Sequence, residues 1–172
     1  RRRTPLSRRL LFVATLVATL SLAAHADEPL PSVEQVMNEH KEKIRNQLET
    51  INYKRKRMVE ANMALDGTEA ETFWPIYSRY RGETDSLHKE TFQLLLEYAR
   101  AYGSGSITDA EASRMVDLYR GLQEKQLAVL HRYVQEVAEK MSPRRAMRFL
   151  QIEAQLDALE ALQIGKQVPL IN

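Results

Sequence analysis

Apolar residues recur at alternating steps of three and four along most of the chain, which is the spacing of one face of an α-helix. One such series runs from Phe73 through Tyr77 to Ala101, and another runs from Ala112 to Val137. No stretch alternates apolar and polar residues for long enough to indicate a β-strand. The pattern therefore predicts an all-α protein.

Four residues of the type that caps helices mark where the helices begin. A side-chain oxygen at the N-cap accepts a hydrogen bond from a backbone N–H of the first turn, and Glu or Gln three residues later can complete a capping box. The predicted caps are Ser32, Asp66, Thr108 and Ser142. Thr68 competes with Asp66 for the second start, because Glu71 follows it at the same spacing. Caps and stripes together predict four helices, at about 33–64, 67–102, 109–140 and 143–164.

The first predicted helix carries an apolar stripe with a spacing of seven residues. Its members are Met37, Ile44, Ile51, Met58 and Leu65. Three of the four predicted helices exceed 30 residues, and a 35-residue helix is about 50 Å long. A chain built this way is expected to form an elongated bundle or a curved cradle. Its stripes are long for the mass available to cover them, so either two chains share the surface or one face stays open as a groove.

Pro75 lies inside the second predicted helix, next to the only tryptophan. The ring of an interior proline clashes with the carbonyl four residues earlier and kinks the helix. The stripe keeps its phase from Phe73 to Tyr77, whereas a break would reset it. We therefore predict one helix kinked at Pro75. The predicted structural anchors are Phe73, Trp74, Pro75 and Tyr77. For Trp74 the alternative interpretation is an exposed aromatic contact for a partner.

The first 26 residues have the pattern of a secretory signal peptide. Five arginines in residues 1–9 precede an uncharged apolar run at 10–24, and Ala24-His25-Ala26 has the small-x-small form of a cleavage site. The run is shorter than the roughly 20 residues of a membrane span, which favours a cleaved signal peptide. An uncleaved membrane anchor is the alternative. The expected product is a single helical domain at 27–172 with a short extended C-terminal tail, located in the periplasm. Arg8 and Arg9, just before the apolar run, match a twin-arginine export signal only loosely, which favours export by the Sec route.

Composition excludes several classes of function. The chain has no cysteine, which excludes disulfides, thiol catalysis and cysteine-based metal sites. Removing the five leader arginines from 25 basic residues leaves 20 against 23 acids, a net charge of −3 that speaks against nucleic-acid binding. Gly-rich phosphate loops are absent, and no cofactor is predicted.

Candidate chemistry is sparse. His40, His88 and His131 show no two-ligand spacing on one helical face, so no metal site is predicted, and a site shared by three helices is the alternative. The acids follow the i, i+4 spacing of surface ion pairs, and none is isolated in an apolar setting. The sequence therefore indicates a protein that is not an enzyme.

The sharpest charge feature is a run of four cations, which fans around slightly more than one helical turn. The run is Lys54, Arg55, Lys56 and Arg57. Its simplest interpretation is a solvated surface on which at least one stem lies against apolar residues. The functional interpretation is a cationic rim that attracts acidic clients or makes peripheral contact with the membrane. Three further cations extend this rim if the fourth helix starts near the middle of the first, namely Arg144, Arg145 and Arg148.

The capping phrases resemble the L-T-x-x-Q motifs of the Spy/CpxP-like periplasmic proteins. The matching positions are Leu65, Asp66 and Glu69, followed by Met141 and Ser142. Asp66 stands in place of Thr, Glu69 in place of Gln, and Arg145 where Gln is usual. The phrase FWPIY at 73–77, the run at 148–153 and the ending at 168–171 look more like an uncharacterised group of secreted proteobacterial proteins. The resemblance implies a curved helical cradle, often dimeric, that binds partly unfolded clients without ATP or damps an envelope-stress sensor.

Three hypotheses follow for the function. The leading one is a non-enzymatic periplasmic binding protein, chaperone-like or related to envelope stress, that uses an amphipathic helical surface with basic patches. The second is a structural or regulatory module that forms a homodimer or docks on an envelope sensor. The third is a metal-responsive periplasmic protein.

Overall fold

The computed structural model describes residues 32–165 together with 168 and 170, and every regular element in that part of the chain is an α-helix. The helices are α1 Val33–Glu39, α2 Lys41–Met63, α3 Gly67–Gly103, α4 Asp109–Lys140 and α5 Pro143–Gly165. The all-α prediction is confirmed. The predicted signal peptide at 1–26 and most of the predicted tail lie outside the described residues.

The predicted first helix is wrong at one point, because it is divided at His40. The backbone there has φ −103° and ψ 10°, and α2 begins at the next residue. On the other side of the break, α1 buries Val36 against Leu96 of α3. Helical spacing does not report such a long-range contact.

The buried stripe of α2 also differs from the predicted one. Met58, a predicted stripe residue, is exposed, whereas Val59 and Met63 are fully buried. A seven-residue spacing drifts by about 20° per heptad around a straight helix, so a long heptad series loses its phase. The buried face of α2 instead passes through Arg55, Val59 and Met63, four residues apart.

The predicted caps begin the helices as expected. Ser32, Asp66 and Thr108 form complete capping boxes with Gln35, Glu69 and Glu111. At α5, the Ser142 hydroxyl accepts a hydrogen bond from the backbone N–H of Arg145 at 3.2 Å. Thr68, the competing candidate, lies inside α3.

Helix α3 continues through Pro75, as its unbroken stripe predicted. The Phe73 and Tyr77 side chains are buried beside the proline and make ring contacts with Phe149 of α5, with centroids 5.6 and 6.2 Å apart. Trp74 is half-buried and packs edge-on against Phe73, with centroids 5.2 Å apart. The tryptophan is thus an anchor at the margin of the core.

The four long helices share one hydrophobic core around the first half of α3. Its buried residues are Val59, Met63, Phe73, Ile76, Tyr77, Tyr80, Tyr133, Val137, Ala146, Phe149, Ile152 and Leu156. Four interhelical ion pairs show that α3 and α4 run antiparallel along their length: Glu97–Arg114, Glu90–Lys125, Glu83–Arg132 and Arg79–Glu136. Helix α5 packs against α4 and α2, and its first half forms a groove with the end of α2.

Candidate functional site: a basic groove beside a buried ionic cluster

An open groove of about 720 Å³ lies between the end of α2 and the first half of α5, and we call it the α2–α5 groove. It is lined by Asn62, Ser142, Arg144, Arg145, Met147, Arg148, Gln151, Ile152 and Gln155. The three arginines that the sequence singled out on the last helix are therefore brought together in one concavity.

Two of these arginines hold the end of α2. Arg145 donates to the carbonyl of Met63 at 2.8 Å and to the Glu69 carboxylate at 2.7 Å. Arg148 donates to the carbonyl of Asn62. The last carbonyls of a helix have no partner within that helix. The arginines of α5 supply partners, and so fix one end of the groove.

The groove is positively charged. None of its lining residues is acidic, and Arg144 and Arg148 are exposed. Glu69 offsets the charge of Arg145, and the hydrogen bond between the two lowers the pKa of that carboxyl. Apolar surface is present as well, because Met147 is 54% exposed beside Ile152. The arrangement can accept a carboxylate and an apolar side chain side by side.

The cations at 54–57 do not form one rim. Lys54, Lys56 and Arg57 are exposed, but Arg55 is only 5% exposed and points into the interior. The prediction that Arg55 belongs to a partner-binding surface is wrong, because it lies on the buried face of α2 and is paired internally. Lys56 turns the other way, with its Nζ 5.1 Å from the centre of the Trp74 ring.

The α5 arginines do not extend that run either. They meet the last residues of α2 and not its middle. The reason is the antiparallel course of the two helices, which places the start of α5 at the end of α2 and brings Glu153, further along α5, to Arg55.

Arg55 is the centre of a buried ionic cluster. Its Nη2 donates to the Glu153 carboxylate at 2.8 Å and also to Asp157, and its Nη1 donates to Glu160 at 3.2 Å. Burial alone would lower the pKa of Arg55, but the charges and hydrogen bonds of Glu153 and Asp157 raise it above its usual value. We call Arg55, Glu153, Asp157 and Glu160 the Arg55 cluster.

Glu153 is the most enclosed member, with no exposed surface. Its Oε2 accepts from Arg55 and from the Tyr80 hydroxyl at 2.9 Å, whereas its Oε1 has no hydrogen-bond partner among the described residues. The Tyr77 hydroxyl is also buried and equally unpartnered there. Burial, reinforced by the charge of Glu153, raises the pKa of both tyrosines.

A second polar layer surrounds this centre. The Arg81 Nη2 donates to Asn52 of α2 at 2.8 Å and to Asp85 at 3.2 Å. His88 lies one turn beyond Asp85 on α3. Burial lowers the pKa of His88, and the negative charge of Glu160 opposes this effect. These contacts tie the middle of α2 to α3.

The sequence interpretation missed the Arg55 cluster. It found no carboxylate in an apolar setting, and Glu153 contradicts that statement. A signal was present, since Glu153 lies four residues after Phe149 and directly after Ile152, on the apolar side of α5. Arg55 similarly stands four residues before Val59.

Metal ligation and membrane spanning gain no support within the described ranges. No group of three or more His, Asp or Glu side chains is placed there to hold a metal ion. No helix in the same ranges is both long and apolar enough to cross a bilayer.

Exposed apolar side chains occur outside the groove too. Four of the large ones lie on α4, namely Val116, Leu118, Tyr119 and Leu127. Others lie on α2, on the second half of α5 and beyond it, namely Tyr53, Met58, Leu159, Leu162 and Leu170.

No family model, curated protein or solved structure matches this chain. The function is therefore argued from the groove and from the charges around it.

Proposed function

We propose that the protein is a non-enzymatic periplasmic binding protein of the chaperone-like kind, which holds segments of partly unfolded polypeptides in the α2–α5 groove. In this proposal residues 1–26 direct export and are removed. The helices form an elongated bundle or curved cradle with the groove on its open side. Kinship with the Spy/CpxP-like proteins is part of the same proposal.

The observation that carries the proposal is the lining of the groove. It combines three arginines, no acid and an exposed methionine in a concavity of about 720 Å³. An extended segment that carries Asp or Glu next to an apolar residue matches it in both charge and polarity. Because the lining consists of arginine, amide, hydroxyl and apolar side chains and includes no acid or histidine, binding and not turnover is the activity that fits.

Such binding is expected to be weak and reversible. Each exposed ion pair contributes roughly 0–1 kcal/mol, and apolar burial adds about 25 cal/mol per Å². A holding protein needs this weakness, since it must release its client without ATP.

The test is suppression of aggregation of an unrelated, chemically unfolded acidic protein. The mature chain is expected to suppress it at a near-stoichiometric ratio. Arg144→Glu is expected to weaken suppression at least about fivefold, because a repelling charge then faces the client. Arg144 is exposed and takes no part in the ties that fix α2, so the fold should be unaffected.

Arg120→Glu is the matched control, because Arg120 is also an exposed arginine, lies on α4 and pairs with Asp117 at 3.6 Å. It should suppress aggregation like the wild-type chain. If both variants lost suppression of aggregation equally, the effect of the charge would be general. If Arg144→Glu suppressed aggregation like wild type, the groove would not be the client-binding site.

A second candidate function is a dimerising or sensor-docking module, favoured by the exposed apolar residues on α4. Val116, Tyr119 and Leu127 lie on one side of that helix at helical spacing. A surface of this kind commonly marks a protein contact.

A further inference from the structure

Helices α2 and α5 are joined at two levels by different chemistry. At the end of α2, Arg145 and Arg148 bind backbone carbonyls, which do not titrate. Two turns earlier along α2, the tie is the Arg55 cluster. There, each α5 group that accepts a hydrogen bond from Arg55 is either a carboxylate or the backbone carbonyl of Glu153. The acceptors on the end of α2 are thus carbonyls that do not titrate, whereas its middle is held by carboxylates, which take up protons in acid.

The cluster has little tolerance for the loss of one charge. Arg55 is 5% exposed and Glu153 is fully enclosed. Breaking a buried pair by neutralising one partner leaves the other charge desolvated and uncompensated, which is strongly unfavourable. Neutralisation of Glu153 would leave Arg55 with Asp157 and Glu160, which are both partly exposed, and so would favour a motion that brings Arg55 closer to water.

The interior also offers a place for the proton. Glu153 Oε1 accepts no hydrogen bond from the described residues, and the Tyr77 hydroxyl is buried without a partner. A proton on Oε1 displaces no existing bond. The three donors on Glu153, from Arg55 and Tyr80, all use Oε2.

Charged and titratable groups face this centre from all three helices. They are Arg55 on α2; Tyr77, Tyr80, Arg81, Asp85 and His88 on α3; and Glu153, Asp157 and Glu160 on α5. With Asp85 and Arg81 included, four carboxylates face two arginines, so this centre is anionic when all of them are ionised. Loss of the three carboxylate charges on α5 would leave Arg55 with no anionic partner, and only its bond to the Glu153 backbone carbonyl would be unaffected.

We propose that the Arg55 cluster is an acid-sensitive clamp: protonation of its carboxylates releases the middle of α2 from α5, while the end of α2, beside the α2–α5 groove, stays attached. The use of this motion to admit or release a client rests on the proposed function, but the motion itself does not.

Trp74 provides a built-in reporter of the motion. It is the only tryptophan, and Lys56 of α2 lies over its ring at 5.1 Å. Movement of α2 takes that side chain away and exposes the half-buried ring to water. In the mature chain, the emission maximum is expected to shift to longer wavelength between pH 7 and about pH 4, where carboxylates become protonated, with helical circular dichroism retained.

Glu153→Gln tests the clamp at neutral pH, because it imitates the protonated side chain at nearly equal size. Its Trp74 emission at pH 7 is expected to match that of the acid form. Amide hydrogen exchange in the middle of α2 is expected to be at least about tenfold faster, with α4 unchanged. Glu136→Gln is the matched control, because it neutralises a glutamate in an interhelical pair with Arg79 outside the cluster, and it should behave as wild type.

The double variant Arg55→Met with Glu153→Met replaces the central pair by apolar side chains of similar length. Such replacements are often neutral or stabilising. The clamp is then expected to stay closed, with at least about half of the emission shift between pH 7 and pH 4 abolished. This variant keeps the proposal testable if Glu153→Gln does not fold.

Three results would overturn the proposal. They are wild-type exchange of α2 in Glu153→Gln, an equal acceleration in α2 and α4, and a wild-type pH response in the double Met variant. Neither readout contains a client. If the clamp opens but neither Glu153→Gln nor wild type suppresses aggregation, the proposed function fails and the clamp stands. If both suppress it equally, only the link between the motion and client binding fails.

Discussion

At the scale of single residues, position relative to the core decides what a side chain does. Residues 54–57 are four cations in succession, yet only Arg55 shares the helical phase of Val59 and Met63 and is buried with them. Its neighbours remain in water. Judged by residue type alone, all four belong to the surface. The rotational position of each residue around α2 is what distinguishes the buried Arg55 from its three exposed neighbours.

His88 gives a residue-scale prediction about pH. Burial, the largest influence, lowers its pKa in the folded chain, so the unfolded chain binds the proton more readily. The sign follows from linkage: the contribution of His88 to stability is fully present above its ordinary value of about 6.5 and is lost as the pH falls below it. His88→Asn stays neutral and is expected to reduce the loss of unfolding free energy between pH 7.5 and pH 5.5, measured by urea denaturation.

The control for this prediction is His131→Asn, because His131 is exposed on α4. It should leave the pH dependence as in wild type. If His88→Asn and wild type lose the same free energy over this range, His88 is not a source of the pH dependence.

At the scale of elements, local capping chemistry explains where the helices begin. The hydrogen bonds at Ser32, Asp66, Thr108 and Ser142 lie within three residues along the chain, so they can be predicted without knowing any packing. The break at His40 has no such local signal, and it was missed. Pro75 was placed within a helix correctly because the phase of the stripe on either side is also local information; a kink there stays a prediction.

The start of α3 provides the element-scale prediction. Asp66 accepts from the Glu69 N–H at 2.9 Å, whereas Thr68 is within the first turn and its hydroxyl has no capping bond to an N–H among the described contacts. Asp66→Ala is expected to lower the unfolding free energy by about 1 kcal/mol. Thr68→Ala should change it by less than about 0.5 kcal/mol. Thermal or urea denaturation of both variants measures the difference, and a larger effect at Thr68 would show that the cap is assigned to the wrong residue.

At the scale of the whole molecule, the question is which apolar surface stays uncovered. The core is concentrated where α2, α3, α4 and α5 meet, and the first half of α4 presents Val116 and Tyr119 to water. The proposed holding function leaves such surface open for clients, whereas the dimerising module covers it with a second chain. Self-association through α4 is therefore required by the dimerising module and not by the holding function.

Tyr119→Glu makes this distinction measurable by sedimentation velocity. If α4 mediates self-association, wild type is expected to form dimers at micromolar concentration, and the variant to be at least about tenfold weaker, because a buried unpaired carboxylate is unfavourable. Gln123→Glu is the control, since it adds an equal charge at an exposed position that is already polar. A monomeric wild type would contradict the dimerising module and leave the groove as the candidate site.

The sequence by itself determined the all-α class, the four capped helix starts, the continuity of α3 through Pro75 and the burial of Phe73 and Tyr77. These properties follow from hydrogen bonds and apolar spacings that span only a few residues. Only the tertiary structure decided that Arg144, Arg145 and Arg148 line one groove and that Arg55 joins Glu153, 98 positions away along the chain. Such pairings depend on which helices become neighbours and in which rotation, and the spacing of residues within one helix does not contain that information.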